Sequence, residues 1–322
     1  DAALTASATG VAFPKSLEHQ ATCFIGNNST KGERPLFGHL GETRVYDSAL
    51  TAAQIQELRM SGLRGKLMVR WNMDRIVTDE NGVRSVEGEG VRKSRLLVGP
   101  SVSVENDLDG GVLKFNPVDA QTLEDTWASA DVPCDMPAVT VSLWYNISST
   151  LGNTYSLGNN IPKILTLNNN TRLMINDGSA VTTRTNTNLD YFLLSDTVTR
   201  RFAGAYLERD HWAHIAITSW ITYDEGGNRI GCFDVYVNGQ KFGETTSGAV
   251  SYDSFLPTSA STVMLGCGLA KGGAGNNRVI KGSLDDVRIY AGRLSEDEIQ
   301  QVWRGPATVS AGADFAVASG AK

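Results

Sequence analysis

Hydrophobic and polar positions alternate along much of the chain, a period-2 pattern typical of strands with one buried face. Segments that alternate in this way or end in turn signals are 139–147, 211–218, 233–237, 240–244, 262–266 and 282–290. Asn238-Gly239 separates two of them and predicts a tight hairpin turn, because glycine accepts a positive φ. The number of short strands and turns predicts an all-β protein, an antiparallel β-sandwich.

Two short segments predict helices instead. Thr51-Ala-Ala-Gln54 and Ser295-Glu-Asp-Glu298 each place a hydroxyl residue three positions before Gln or Glu, the pattern of a capping box. The apolar positions that follow are Ile55, Leu58, Ile299 and Val302. Each helix is about two turns long, so it needs to dock on the sandwich to persist.

The two helices belong to an internal repeat, because residues 38–58 align without gaps with residues 282–302. The identical pairs are Gly38/Gly282, Leu40/Leu284, Arg44/Arg288, Tyr46/Tyr290, Leu50/Leu294, Ile55/Ile299 and Gln56/Gln300. The conservative pairs are Glu42/Asp286, Val45/Ile289, Thr51/Ser295 and Leu58/Val302. Both copies therefore predict the same strand, turn and short helix.

Composition narrows the class of protein. The 322 residues suit two domains, or one large all-β domain with an appendage, and 33 Gly against 9 Pro agree with a chain that turns often. The net charge of -6 gives no basic surface for nucleic acid or an anionic membrane. No apolar run approaches the ~20 residues that span a bilayer.

The four cysteines, which form no CxxC pair, do not indicate a zinc site or a thioredoxin-like redox site. They allow up to two disulfides in three pairings, or they are buried thiols, and the sequence does not choose between these alternatives. The residues concerned are Cys23, Cys134, Cys232 and Cys267.

Residues 282–290 read Gly-Ser-Leu-Asp-Asp-Val-Arg-Ile-Tyr, and residues 293–299 read Arg-Leu-Ser-Glu-Asp-Glu-Ile. This motif resembles the closing motif of laminin G-like domains of the concanavalin A-like lectin/glucanase type. Other segments that resemble the family lie, in the same order along the chain, at 67–74, 77–82, 111–115, 141–144, 211–216 and 235–239. The resemblance implies a concanavalin A-like jelly roll with short C-terminal helices, complete over residues 63–305.

The flanking segments resemble pieces of further domains. Residues 1–62 are similar to the last strands and helix of a first laminin G-like sandwich, and residues 306–322 to the first strand of an immunoglobulin-like domain of the polycystic-kidney-disease type. Residues 1–62 are completed by upstream chain, by a cleaved fragment, or by strand addition to the complete domain or another subunit. The resemblance implies a large multidomain protein outside the cell or on its surface.

The sequence does not favour an enzyme. Retaining glycosidases need two carboxyl groups about 5–5.5 Å apart, and on a strand such groups occupy positions i and i+2. Asp285 and Asp286 are adjacent, so they are expected on opposite faces. The four histidines are scattered, and His211 and His214 are expected to pack within a strand.

Calcium is the cofactor that the sequence favours, since Ca²⁺ prefers carboxylate, amide and backbone oxygens in loops. The candidate ligands are Asp74, Asp79 and Asn81, together with Asp285 or, alternatively, Asp286 if the terminal strands pair as in the family. Residues 105–109 form an alternative acidic cluster. The competing interpretation is that these residues only make turns.

A glycan site needs exposed aromatic side chains beside polar loops. The candidates are Trp127, Tyr155, Tyr191 and Trp220, whereas Trp71, Trp144 and Trp212 are expected inside. The main functional prediction is a non-enzymatic structural or adhesive module with protein partners or like subunits, joined by strand addition at 1–62 and 306–322. The alternative is a carbohydrate-binding, lectin-like module of a polysaccharide-acting protein.

Overall fold

The computed structural model describes residues 65–107, 110–119, 122, 124–148, 162–168, 173–177, 186–193, 199–267 and 279–305, with short runs between 38 and 58. The chain divides into two compact units, Asp1–Ile55 and Gln56–Lys322. The predicted opening strand at 306–322 lies outside the described residues, as do Cys23 and Tyr155.

The second unit is built from antiparallel strands and a C-terminal helix, and residues 58, 122 and 124 are helical as well. In chain order these are β1 (Leu67–Trp71), β2 (Val77–Thr78), β3 (Arg84–Val86), β4 (Leu96–Val98), β5 (Val102–Asp107), β6 (Gly110–Phe115), β7 (Ala128–Asp131), β8 (Ala138–Ile147), β9 (Lys163–Leu167), β10 (Leu173–Asp177), β11 (Asn186–Leu193), β12 (Thr199–Glu208), β13 (Trp212–Tyr223), β14 (Arg229–Val237), β15 (Gln240–Ala249), β16 (Thr262–Leu265), β17 (Gly282–Ala291) and α1 (Glu296–Arg304).

The strands form two sheets. The first has the order β15-β14-β13-β8-β17-β6-β5, and β1 pairs with the second half of β17. The second has the order β12-β11-β10-β9-β16-β7-β4-β3-β2. Every described pairing is antiparallel, which confirms the predicted concanavalin A-like β-sandwich.

The core lies between the sheets and is filled by alternate residues of each strand. Full burial of each large apolar side chain contributes about 1.5–3 kcal/mol. The first sheet contributes to the core Val141, Leu143, Tyr145, Ile215, Ile217, Phe233 and Val235, and the second sheet contributes Leu165, Leu167, Val263 and Leu265. The intervening residues of β8, β13 and β14 consequently point away from the core, and this outward face carries the polar groups described below.

Helix α1 covers part of that outward face. Leu294 and Ile299 pack with Ala216, Tyr236 and Tyr290 in a second apolar cluster. The predicted capping box is present, because the Ser295 N–H donates to Glu298 Oε2 (2.6 Å) and the Glu298 N–H donates to Ser295 Oγ (3.3 Å). The helix therefore starts where the sequence predicts.

The same capping box forms in the first copy of the repeat. The Thr51 N–H donates to Gln54 Oε1 (2.8 Å), and the Gln54 N–H donates to Thr51 Oγ1 (3.2 Å). Residues 54, 55 and 58 are helical.

The predicted hairpin turn between β14 and β15 is present as well, with φ of 49° at Asn238 and 74° at Gly239.

The prediction that three tryptophans lie inside is correct only in part. Trp71 is fully buried in the core and donates its Nε1–H to the Ser94 carbonyl (2.8 Å). Trp144 is buried, but it packs edge-on against His214 (5.3 Å between ring centroids) on the outward face. Trp212 is only half-buried and donates to Asp107 Oδ2 (2.7 Å). Alternation places both on the outward face, which the sequence pattern alone did not distinguish.

The segment 77–82, which resembles the family, begins with the two-residue strand β2 and then turns. Cys134, Cys232 and Cys267 are buried thiols. In the part of the chain that the structure describes, no helix is long and apolar enough to cross a membrane.

Candidate functional site

A buried carboxylate organises the outward face of the first sheet. Asp234 alternates with the core residues Phe233 and Val235 of β14, so its side chain points away from the core. Arg293 Nη2 lies 2.6 Å from Asp234 Oδ2, and Lys241 Nζ lies 3.0 Å from Asp234 Oδ1. Burial of a carboxylate is costly unless it is paired, and here two cations share that role.

The aromatic side of this site is Trp220 of β13. The guanidinium carbon of Arg293 lies 3.8 Å from the centre of the Trp220 ring, so the two planar groups stack. We call Trp220, Asp234, Lys241 and Arg293 the Trp220 cluster. Its two cations outnumber its one anion, and Trp220, Lys241 and Arg293 remain partly accessible to solvent. The cluster thus presents hydrogen-bond donors next to an aromatic ring.

The other predicted glycan residues do not join Trp220. Trp127 directly precedes β7 of the second sheet and packs against an apolar cluster of Met264, Cys267 and Val279. Tyr191 lies in β11 of the same sheet, and its side chain is outside the described residues. Trp127 and Trp220 therefore belong to different sheets, and the structure does not bring them into one binding surface.

Three of the four predicted calcium ligands, Asp74, Asp79 and Asp285, accept hydrogen bonds from backbone N–H groups. Asp74 Oδ1 accepts from the Gly111 N–H (3.1 Å), and Asp285 Oδ1 accepts from the Asp286 N–H (2.7 Å). Asp79 Oδ1 accepts from the backbone N–H groups of Asn81 and Val83, each at 2.9 Å.

These contacts also set the ionisation of the turn. The hydrogen bond from Val83, helped by Asn81 and the positive charge of Arg95, holds the pKa of Asp79 below its ordinary value. Within the described ranges, no group of three or more His, Cys, Asp or Glu side chains is arranged to hold a metal ion. The calcium site remains a prediction that rests on the sequence.

A second charged cluster surrounds Asp286, where β17 contains a bulge and the backbone has a φ of 45°. Arg70 Nε donates to Asp286 Oδ1 (2.6 Å), and Arg288 donates to both carboxylate oxygens (2.9 and 2.5 Å). Burial raises the pKa of Asp286, but the hydrogen bonds and charges of Arg288 and Arg70 outweigh it, and the net pKa is lowered. The cluster ties β1 to β17 and keeps Asp286 ionised.

His214, whose pKa is influenced by Arg288 and Asp286, is held in its neutral form. His214 is almost fully buried, and its Nε2 lies 2.8 Å from Ser142 Oγ. Burial, with the positive charge of Arg288 as the next cause, lowers the pKa of His214 to about 3. His214 therefore packs within β13, as the sequence predicts, and does so as an uncharged residue. The same prediction is wrong for His211, which precedes β13, is exposed and lies 2.9 Å from the Arg209 carbonyl oxygen through its Nδ1.

The sequence predicts only Trp220 among the members of the Trp220 cluster. Asp234 lies in the predicted strand 233–237, and a carboxylate between Phe233 and Val235 does signal an outward position. The sequence around Lys241 and Arg293 does not predict their contact with Asp234, because Lys241 lies on another strand and Arg293 lies in the turn after β17.

Comparison with known proteins places the chain in a family. A family model described as the Concanavalin A-like lectin/glucanases superfamily matches residues 124–300. No curated protein matches the chain. Among solved structures, domain 4 of an extracellular arabinanase from Geobacillus stearothermophilus, solved in complex with arabinotriose, is 15% identical, with 74% of this chain and 98% of that chain covered and a TM-score of 0.45.

Two toxin domains resemble this chain with comparable sequence identity and TM-score. The receptor-binding domain of botulinum neurotoxin type G is 13% identical, with 74% of this chain and 51% of that chain covered and a TM-score of 0.45. The binding domain of Paraclostridial Mosquitocidal Protein 1 is 15% identical, with 74% and 52% covered and a TM-score of 0.48. The similarity thus spans about half of each toxin chain. Because the family model matches more than half of its residues, this protein belongs to the Concanavalin A-like lectin/glucanases superfamily, with a laminin G-like domain at residues 124–300.

Proposed function

We propose that this protein is a non-catalytic carbohydrate-binding module and that the Trp220 cluster is its sugar-binding site. The observation that carries the proposal is the stacked pair of Trp220 and Arg293, in which a buried Asp234 holds the arginine against the ring. Sugar recognition combines an aromatic surface with polar groups in fixed positions. The family to which the chain belongs includes lectins by its description.

The geometry suits hydroxyl-rich ligands. Arginine has five N–H donors, and Arg293 directs Nη2 to Asp234 while its side chain stays half-exposed. Because Asp234 fixes the guanidinium before a ligand arrives, little rotamer entropy is lost when the remaining donors bind sugar oxygens. Lys241, on the other side of the same carboxylate, adds a positive charge that favours sugars with a carboxylate group.

The absence of catalysis is part of the proposal. General acid catalysis needs a carboxylic acid that stays protonated near neutral pH. Asp286 cannot take this role, because Arg288 and Arg70 hold its pKa below the ordinary value and keep it ionised. Incubation of the full chain with a panel of plant and bacterial polysaccharides is expected to release no reducing ends, and measurable release would contradict this part of the proposal.

The experiment that tests the site begins with a glycan array of neutral and uronate-containing oligosaccharides, probed with the full chain. The strongest ligand is then titrated by calorimetry against the wild type, Trp220→Ala and Arg293→Gln. We expect both variants to bind at least about tenfold more weakly, the loss typical of a central interface residue.

Trp212→Ala is the matched control for this titration. Trp212 is also half-buried and faces outward on β13, but it lies about 27 Å from Trp220 at about 3.4 Å per residue. Its removal is expected to leave sugar affinity unchanged. An array without ligands, or equal losses in Trp212→Ala and Trp220→Ala, would refute the proposed site.

A second candidate function is a structural or adhesive module, as part of a larger protein outside the cell or on its surface. It is favoured by the apolar side chains that residues 43–55 expose, namely Val45, Tyr46 and Ile55. Exposed apolar groups of this kind mark surfaces for protein partners. Labelling of intact cells with a membrane-impermeant reagent tests the location, and a chain that is labelled only after lysis would contradict it.

A further inference from the structure

Two turns of the sandwich contain the dipeptide Asn-Gly, at 81–82 and at 238–239. In this dipeptide the asparagine side chain is open to attack by the backbone, because the following glycine has no Cβ atom that shields its nitrogen. The glycine nitrogen can bond to the amide carbon of the asparagine and close a succinimide ring. Both glycines have a positive φ, 77° at Gly82 and 74° at Gly239. The two sites therefore differ in their surroundings and not in sequence or in the glycine φ.

The first site lies open on the surface, in the turn between β2 and β3. Asn81 and Gly82 are both exposed, and a Cβ atom at Gly82 would meet nothing within 4 Å. The Asn81 N–H donates to Asp79 Oδ1 (2.9 Å), but among the described residues no hydrogen bond holds the Asn81 side-chain amide. The Gly82 N–H donates to the Asp79 carbonyl (3.0 Å), an exposed bond that the attacking nitrogen has to break. The Asn81 amide can thus turn toward the Gly82 nitrogen without displacing a packed group.

The second site holds both reacting groups in place. Asn238 Oδ1 accepts from the His214 N–H (2.9 Å), and the Asn238 N–H donates to the His214 carbonyl (2.8 Å). Gly239 is buried against helix α1, where a Cβ atom would lie 2.5 Å from Trp303 Cε3. Its carbonyl accepts from Gln300 Nε2 (2.6 Å). Ring closure at Asn238 therefore requires the loss of a side-chain hydrogen bond and a movement of Gly239 against the helix.

We propose that Asn81 is a site of spontaneous covalent modification to aspartate and isoaspartate, from which the fold protects Asn238. The Gly82 nitrogen loses its proton and bonds to Asn81 Cγ, the Cγ–Nδ2 bond breaks, and the amide nitrogen leaves as ammonia with that proton. Water then opens the ring. Hydrolysis at the side-chain carbonyl gives aspartate, and hydrolysis at the backbone carbonyl gives isoaspartate. This inference does not depend on sugar binding at the Trp220 cluster.

Isoaspartate changes the β2–β3 hairpin, because it adds a carbon atom to the backbone within the turn. The hydrogen bonds across the turn run from the Asp79 N–H to the Val83 carbonyl (3.0 Å) and from the Val83 N–H to Asp79 Oδ1 (2.9 Å). Strand β2 pairs with β3 through two residue pairs, so loss of the turn frees β2. Strand β3 is anchored separately, since Arg84 donates to the carbonyl oxygens of Gly99 and Val102. The loosening is expected to stop at β3.

The first test follows both sites in the full wild-type chain, kept folded in mildly alkaline buffer with a chelator so that calcium does not occupy the predicted site. Samples are digested over time and mapped by mass spectrometry, and isoaspartate is labelled with protein isoaspartyl methyltransferase. We expect Asn81 to be converted at least about tenfold faster than Asn238. The matched control is the same chain unfolded in urea, where similar rates are expected because both sites are released from their surroundings. Equal rates in the folded chain, or an equally large difference in urea, would overturn the proposal.

A second measurement tests the effect on the hairpin. Hydrogen exchange is compared between the separated isoaspartate form, the unmodified chain and Asn81→Asp, which carries the new charge without the extra backbone carbon. We expect faster exchange of the isoaspartate form at residues 77–83, unchanged exchange at 96–98, and an Asn81→Asp variant that behaves like the unmodified chain. Faster exchange throughout the sandwich, or the same change in Asn81→Asp, would contradict the proposed effect.

Discussion

Replacement of Asp286 by alanine is expected to destabilise the sandwich strongly. The substitution removes the acceptor of three hydrogen bonds, one from Arg70 and two from Arg288. Arg288 is largely buried, so its guanidinium is left without its counter-ion. Loss of one partner of a buried ion pair costs about 3–5 kcal/mol. For a domain of this size that corresponds to a fall in Tm of roughly 6–20 °C.

Glu89→Gln is the matched control, since Glu89 faces the same arginine. Its carboxylate is largely exposed and lies 3.7 Å from Arg70 Nη1. Exposed ion pairs contribute about 0–1 kcal/mol, so this variant is expected to unfold almost as the wild type does. Urea unfolding followed by tryptophan fluorescence measures both changes. A cost below about 1 kcal/mol for Asp286→Ala, or an equal cost for Glu89→Gln, would refute the reasoning.

The same ion pair has a defined pH dependence. The folded pKa of Asp286 is lowered relative to the unfolded value of about 3.9. Its contribution is therefore fully present above pH ~4 and is lost as pH falls through the lower folded value. The stability difference between the wild type and Asp286→Asn is expected to shrink over that acidic range. A difference that stays constant down to pH 2.5 would contradict the assignment.

Three further predictions concern the histidine and the two copies of the helix. Because the pKa of His214 is lowered to about 3, the free energy of unfolding of the wild type is expected to fall by up to about 1.4 kcal/mol per pH unit below about pH 6.5. The free energy of unfolding of His214→Gln, measured by urea unfolding at each pH, is expected to fall less steeply. Ser295→Ala is expected to cost about 1 kcal/mol in the same assay through loss of the cap, and no change would argue against the capping box. Ile299→Ala is expected to cost about 2–5 kcal/mol, whereas Ile55→Ala changes the unfolding of the isolated chain by less than about 0.5 kcal/mol, and similar costs would contradict the contrast in burial.

The sequence by itself determined the features that depend on near neighbours. The alternation around Val141 and Ile215 predicted strands with one inward face, and the structure places both residues in the core. The Asn238-Gly239 turn and the capping box at Ser295 formed as predicted, because their hydrogen bonds and backbone angles involve only a few consecutive residues. The resemblance of residues 282–299 to laminin G-like domains also predicted the concanavalin A-like sandwich that the structure shows.

Only the tertiary structure decided which outward-facing residues meet. Trp220, Asp234, Lys241 and Arg293 come from two strands, the start of a third and a turn, so no spacing along the chain connects them. The same holds for Trp144 and Trp212, whose positions depend on which face of the first sheet meets the second. Alternation predicts that a strand has two faces, but the packing of one sheet on the other decides which face becomes the core and which carries the site.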